Sequence, residues 1–140
     1  MTAMTPGAIG KKELSAGLAL VLDPDLLARA GATHTGPFGR RVRGEHRFLC
    51  LEHAGGVGRW APLFSSAGTR RIEVPLDGRT GEQRWKLGTF FLHVDQIWTV
   101  TDDQIRAASR DTTKMHDRNR VDVKALVAEL AELEGAAPSA

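Results

Sequence analysis

The chain holds a single cysteine, Cys50, among its 140 residues. That excludes an internal disulfide framework and fits a reducing compartment. No apolar run approaches the roughly 20 residues that a membrane-spanning helix needs. Ser15–Leu22 has some look of a signal-peptide core behind Lys11 and Lys12, but Glu13 interrupts its front and Asp23–Pro24 cuts it short. A cytoplasmic protein with no membrane partner is expected. There is no glycine-rich phosphate loop and no closely spaced set of metal ligands, so neither a cofactor nor a metal is implied. His46, His53 and His93 could converge on zinc, with Cys50, if their strands were neighbours. The plainer reading makes these histidines half-exposed strand ends and Cys50 packed core, where a thiol is a poor nucleophile.

What is present is ordinary for a globular domain: 41% hydrophobic and 26% charged residues, in a chain long enough for a real core. The net charge of +2 hides an asymmetry, because residues 37–89 carry ten basic and five acidic groups. Nine of those ten are arginines, whose planar fork suits phosphate oxygens better than a lysine does.

The organising stretch is Thr89–Ser109. Phe90–Val94 and Gln96–Val100 read as strands, and Thr101 with Gln104 makes a capping box that starts a helix over Asp102–Arg110. Upstream, Met1–Gly10 and the tail after Gly135 read as disordered. Lys11–Leu22 fits a helix or a strand equally well. Asp23–Pro24 opens a short helix that Gly31 closes. Ala32–Gly44 reads as a loop or an irregular first strand.

His46–His53 reads as a strand buried on both faces, Ala54–Gly58 as a turn, and Arg59–Ser65 as its partner, with Pro62 arguing for an edge or a bulge. Arg70–Leu76 alternates as a half-buried strand, with Ile72, Val74 and Leu76 inward. Asp77–Gly88 and Asp111–Arg120 read as loops. Asp122–Glu134 is an amphipathic helix with Val123, Leu126, Val127, Leu130 and Leu133 on its apolar stripe. The expected architecture is mainly β with flanking helices: a small barrel or a strongly bent antiparallel sheet with C-terminal helices. Residues 1–36 form an N-terminal extension with a short helix, and 37–140 the single barrel-like domain.

Trp60 and Trp98 fall in strands and read as core. Trp85 stands between Arg84 and Lys86 in a loop, where a ring could stack on a base while the cations hold phosphates; anchoring the loop on the fold is the slightly favoured alternative. Arg40, Arg41, Arg43, Arg79, Arg84, Trp85 and Lys86 are the candidate nucleic-acid-binding residues.

HRFLCL, WAPLFSS and FFLHVDQIWTVTDDQI together resemble the PemK/MazF toxins, which share a barrel with the CcdB toxins. The resemblance covers about residues 44–110, with Arg47, Ser65 and Asp95–Gln96–Ile97 in the comparable places. It implies an SH3-like barrel, usually a homodimer, that cleaves single-stranded RNA without metal and is neutralised by an antitoxin peptide. The sequence departs from the family's pattern where Phe48 follows the arginine in place of proline, and where Phe64 stands in the place of the catalytic threonine.

Cleavage of that kind uses the RNA's own 2′-hydroxyl, so the protein supplies positioning, charge stabilisation and proton transfer. Arg47 is the candidate phosphate ligand and Ser65 a hydrogen-bond donor. His53 is preferred over His46 as proton carrier, because it can share a face of the strand with Arg47. The alternatives are a barrel that binds nucleic acid without cutting it, and a protein-interaction module of a phage or mobile element.

Overall fold

In a computed structural model, which describes residues 9–36, 42–109 and 118–135, the chain is mainly an antiparallel sheet with helices on both faces. The elements in order are β1 (Leu18–Leu22), α1 (Pro24–Arg29), β2 (Thr33–His34), β3 (His46–Ala54), β4 (Val57–Phe64), β5 (Arg71–Glu73), α2 (Gln83–Leu87), β6 (Phe91–His93), β7 (Trp98–Thr101), α3 (Asp102–Ala108), β8 (Asn119–Arg120) and α4 (Lys124–Gly135). The strand order is β2-β7-β4-β3-β1-β8, with β6 joining β4 to β5. Among the described strands this path does not close on itself, so of the two expected shapes the bent sheet is the one adopted.

β3 and β4 form the central hairpin. Gly55 and Gly56 both have positive φ, +60° and +77°, as a two-residue turn matched to the strand twist requires. Leu51 is left over where the register shifts between Cys50 and Glu52, the signature of a β-bulge. Pro62 is not at an edge. On the side away from β3, β4 pairs with β7 as far as Trp60 and with β6 from Leu63. Pro62 sits in the break between those partners, where a missing N–H is tolerated.

Alternation along the central strands divides the core in two. Phe48, Cys50 and Trp60 pack with Leu18, Leu20, Leu22 and Trp98 under α1 and α3, which add Leu27 and Ile105. Leu49, Leu51, Ala61 and Leu63 face the other way, towards Trp85 from α2 and Leu126 and Leu130 from α4. A strand buried on both faces reads as a continuous apolar run, which explains LALVL and FLCL.

Local signals place the helices. Asp23 Oδ1 accepts from the amides of Asp25 and Leu26 at 2.9 and 3.3 Å, with Pro24 at the first helical position. The Thr101 and Gln104 capping box is fully formed, and Gln104 Nε2 also donates to the Ala30 carbonyl at 2.8 Å, tying α3 to the end of α1.

Several expectations are corrected. Residues 18–22 are a strand between β3 and β8, so this part of the expected N-terminal extension is internal to the sheet. Gly17 sets its start: φ is +98°, and a Cβ there would run into the Val121 carbonyl. Ile9 is buried and the Gly10 amide donates to Glu13 Oε1, so these two residues are ordered. Residues 1–8, the C-terminal tail beyond 135 and 110–117 lie outside the described residues, but Asn119–Arg120 is a strand, not loop. β5 ends at Glu73, and Leu76 is exposed. The expected loop 77–88 contains α2. No helix among the described residues is long and apolar enough to cross a membrane.

Leu130 is 1% exposed in the core beneath α4. Leu130→Ala should therefore cost about 2–5 kcal/mol in a denaturant titration; an unchanged midpoint would show that α4 contributes nothing to the fold.

Candidate functional site

At the end of the central hairpin away from the glycine turn, an open cleft of about 390 Å³ is lined by Glu45, His46, Arg47, Leu63, Phe64, Ser65, Ser66, Arg71 and Phe90. A second hollow of about 420 Å³ takes in Thr35, Arg70, His93, Asp95 and Gln96, and shares Phe64 and Arg71 with the first. The two make one groove with Phe64 and Arg71 at its waist. The Arg71 guanidinium carbon lies 4.3 Å from the centre of the Phe64 ring, in cation–π contact. Its Nη1 donates to the Ser66 carbonyl at 2.8 Å and to the Ser66 hydroxyl at 3.2 Å.

Arg47 enters from the start of β3. Its guanidinium carbon is 5.8 Å from the Trp85 ring centre and 5.5 Å from that of Phe90. Nη2 donates to Glu82 Oε1 at 3.1 Å, while Nη1 is buried with no hydrogen-bond partner. His46 packs edge-on against Phe64, ring centres 5.4 Å apart. Burial holds its imidazole below the ordinary histidine range, opposed by a hydrogen bond with the Leu63 carbonyl, so it is neutral near pH 7.

Behind the second hollow, Arg70 and Asp95 form a forked pair, Nε to Oδ2 at 2.7 Å and Nη2 to Oδ1 at 2.8 Å. Arg70 takes φ +59°, among the described residues the only non-glycine with positive φ, a conformation that costs free energy and has to be held by its surroundings. The Val94 amide donating to its carbonyl at 2.9 Å and the fork to Asp95 hold it. His93 Nδ1 accepts from the Asp95 amide at 3.1 Å. Burial, reinforced by Arg71 and Arg70 and opposed by Asp95, holds His93 below its ordinary value.

Arg47 and Ser65 both line the first cleft. The structure does not bring His53 to them. His53 pairs with Gly58 beside the glycine turn, and six residues of extended strand from Arg47 amount to about 20 Å. Its Nε2 shares a hydrogen bond with Asp102 Oδ1 at 2.8 Å. His46 is the histidine in the cleft: a shared strand face put it aside, but the cleft wraps the end of the strand and takes both neighbours.

Two of the expected nucleic-acid contacts are internal. Trp85 is fully buried, its Nε1 donating to the Arg120 carbonyl at 3.1 Å; it anchors its segment and has no face to offer a base. Arg79 is buried too, donating to the carbonyls of Val74, Pro75, Trp85 and Gly88, and a guanidinium so used cannot hold a phosphate. Arg43, Arg84 and Lys86 are exposed outside the cleft lining; Arg40 and Arg41 lie outside the described residues. Cys50 is fully buried, and burial pushes its thiol up to about 12, so no thiolate is available there. Among the described residues no group of three or more His, Cys, Asp or Glu comes together as metal ligands.

Sequence reading set His46 aside in favour of His53, named Asp95 only through the resemblance, and missed Arg71 and the pairing of Arg70 with Asp95. The tandem Arg70–Arg71 was the available signal, but strand alternation sent only one of the two to each side. Comparison with family models, with curated proteins and with solved structures gives no match, so function rests on the chemistry of this groove.

The pair makes a pH prediction. Arg70, chiefly through its hydrogen bonds, holds the Asp95 carboxyl below its ordinary range. A depressed folded pKa means that the pair's contribution is present above the ordinary carboxylate value of about 4 and is lost as pH falls through the lower folded value. Wild type should thus exceed Asp95→Asn in melting temperature at neutral pH, and the gap should close in acid. A gap independent of pH would mean that the charge on Asp95 is not what holds Arg70.

Proposed function

We propose that the groove binds the backbone of single-stranded RNA and that the protein is a toxin-like endoribonuclease acting through the substrate's own 2′-hydroxyl. The observation that carries this reading is the convergence of His46, Arg47, Ser65 and Arg71 on one cleft. A neutral imidazole can take the 2′-hydroxyl proton as that oxygen attacks the phosphorus. The 5′-oxygen leaves and takes a proton from solvent, giving a 2′,3′-cyclic phosphate and a free 5′-hydroxyl. Arg47 and Arg71 face the charge that builds on the phosphate oxygens, where fixed donors act most strongly, and the Ser65 hydroxyl adds a further donor. Phe64 offers a half-buried ring for base stacking between them. The same reading sets the activity in the cytoplasm, in a homodimer, and gives an acidic antitoxin peptide the same arginines to occupy.

A second reading, binding without cleavage, is favoured by one specific feature. Phe64 replaces the hydroxyl that the PemK/MazF pattern puts at that place, trading a donor for a stacking surface.

The deciding assay is cleavage of single-stranded RNA in the presence of a chelator, with cyclic-phosphate ends as product. Arg47→Lys keeps the charge but loses the fork, and should lower the cleavage rate by roughly two to three orders of magnitude with RNA affinity nearly intact. His53→Ala should leave the rate unchanged. The rate should rise with pH through the His46 pKa, since only the deprotonated ring accepts, placing the acid limb below the ordinary histidine value of about 6.5. Salt-sensitive binding with no cleavage at any pH would move the protein to the second reading.

A further inference from the structure

We infer that Glu82 is an internal stand-in for the substrate's phosphate, holding the Arg47 guanidinium until a phosphodiester displaces it; this rests on the reading of the cleft as an RNA site. Glu82 occupies the N-cap of α2, where serine, threonine, asparagine or aspartate is preferred, and its side chain makes no capping hydrogen bond. The carboxylate goes instead to Arg47 Nη2, 35 positions away in sequence. A residue that breaks a local rule while serving a distant partner is a candidate for a functional role.

The backbone beneath it is fixed. The Glu82 amide donates to Asn119 Oδ1 at 2.9 Å and its carbonyl accepts from the Lys86 amide at 3.0 Å. The preceding Gly81 has φ +121°, and a Cβ there would collide with Asn119. The main chain therefore cannot follow the side chain, while the side chain itself is 44% exposed and free to rotate towards solvent.

Arg47 shows the complementary features. It is 16% exposed and lies against Trp85 and Phe90, so its position is set by packing as well as by charge. The carboxylate engages a single terminal nitrogen and leaves buried Nη1 unsatisfied. A phosphodiester offers two oxygens and suits a guanidinium fork. Exposed ion pairs are weak and screened by salt, so a phosphate also gripped by Arg71 can displace Glu82, whereas a weakly held anion cannot. Glu82 meets Arg47 from outside the cleft lining, so a phosphate in the cleft competes with it for the guanidinium and not for the space it fills, and the cleft walls stay as they are.

The test compares wild type, Glu82→Gln, Glu82→Asp, Arg47→Ala and the double variant R47A/E82Q. The probes are a labelled 2′-O-methyl single-stranded oligoribonucleotide, which cannot be cleaved, and inorganic pyrophosphate. Thermal melts confirm folding of each variant. Glu82→Gln removes the competing charge and Glu82→Asp shortens its reach, so each should bind both probes about 1.5- to fivefold tighter, the range set by a weak surface ion pair. The gain should vanish in the Arg47→Ala background. A gain that persists without Arg47 is general charge removal and overturns the inference, as does equal or weaker binding by both single variants. If pyrophosphate binding tightens while no form of the protein binds the oligonucleotide, Glu82 keeps its role and the RNA reading falls. If the oligonucleotide binds through Arg47 and the Glu82 variants change nothing, the RNA reading stands and this inference falls.

Discussion

One buried guanidinium organises the wall of the site. Arg79 donates to four main-chain carbonyls, those of Val74, Pro75, Trp85 and Gly88, at 2.5 to 2.9 Å. Carbonyls withdrawn from water need partners, and a planar five-donor group can serve several at once. The segment after β5 is thereby folded back on itself, and Trp85 is driven into the core below α4. Arg79 also lies 4.9 Å from the Trp85 ring centre and 5.3 Å from that of Phe90. Arg47 contacts the same two rings. A cation with no direct place in the cleft thus sets the surface on which the cleft's own cation rests, and fixes the helix whose N-cap supplies Glu82.

That arrangement changes what the arginine excess means. Of the arginines between residues 37 and 89, Arg79 serves carbonyls, Arg70 is forked to Asp95, and Arg59 is held between Glu52 and Glu134. Net charge counts these groups as equals, whereas a partner meets only the ones that face it. Among the described residues, the positive charge lining the groove is concentrated at Arg47 and Arg71, with Arg43, Arg84 and Lys86 exposed outside it. On the proposed RNA reading, affinity comes mainly from steering by the exposed groups, and chemistry from the two that are oriented.

How much of this was legible in the sequence depended on how local the cause was. The Thr101 and Gln104 cap, the Asp23–Pro24 helix start, the Gly55–Gly56 turn and the α4 stripe were readable because each is decided within about one turn of chain. Trp60 and Trp98 were readable as core because both fall in apolar strand segments. Arg79 was not readable: in DGRTGEQRWKLG it looks like one more solvated cation, and only the fold brings four carbonyls to it. β1 was half readable, since LALVL satisfies both periods until β3 and β8 supply partners. The histidine error has two causes. The bulge at Leu51 breaks the alternation that the shared face relied on, so Arg47 lies against Trp85 and Phe90 while His53 meets Asp102 of α3 on the other face. The argument also ignored position along the strand, and at about 3.3 Å per residue position decides which groups meet.

The groove's waist is where the two functional readings part, and the physics there is specific. A hydroxyl at position 64 would have offered a donor to the phosphate beside Ser65. Phe64 instead gives a ring held between the Arg71 guanidinium on one side and His46 on another. Such a ring lowers the polarity around His46 and contributes to the burial that keeps the imidazole neutral, which suits a proton acceptor. It also fixes Arg71 over an aromatic face, which limits how far that guanidinium can follow a moving phosphate. The substitution therefore supports the base and constrains the electrostatic clamp at the same time. On the ribonuclease reading, Ser65 and Arg47 together supply the donors to the phosphate that position 64 does not.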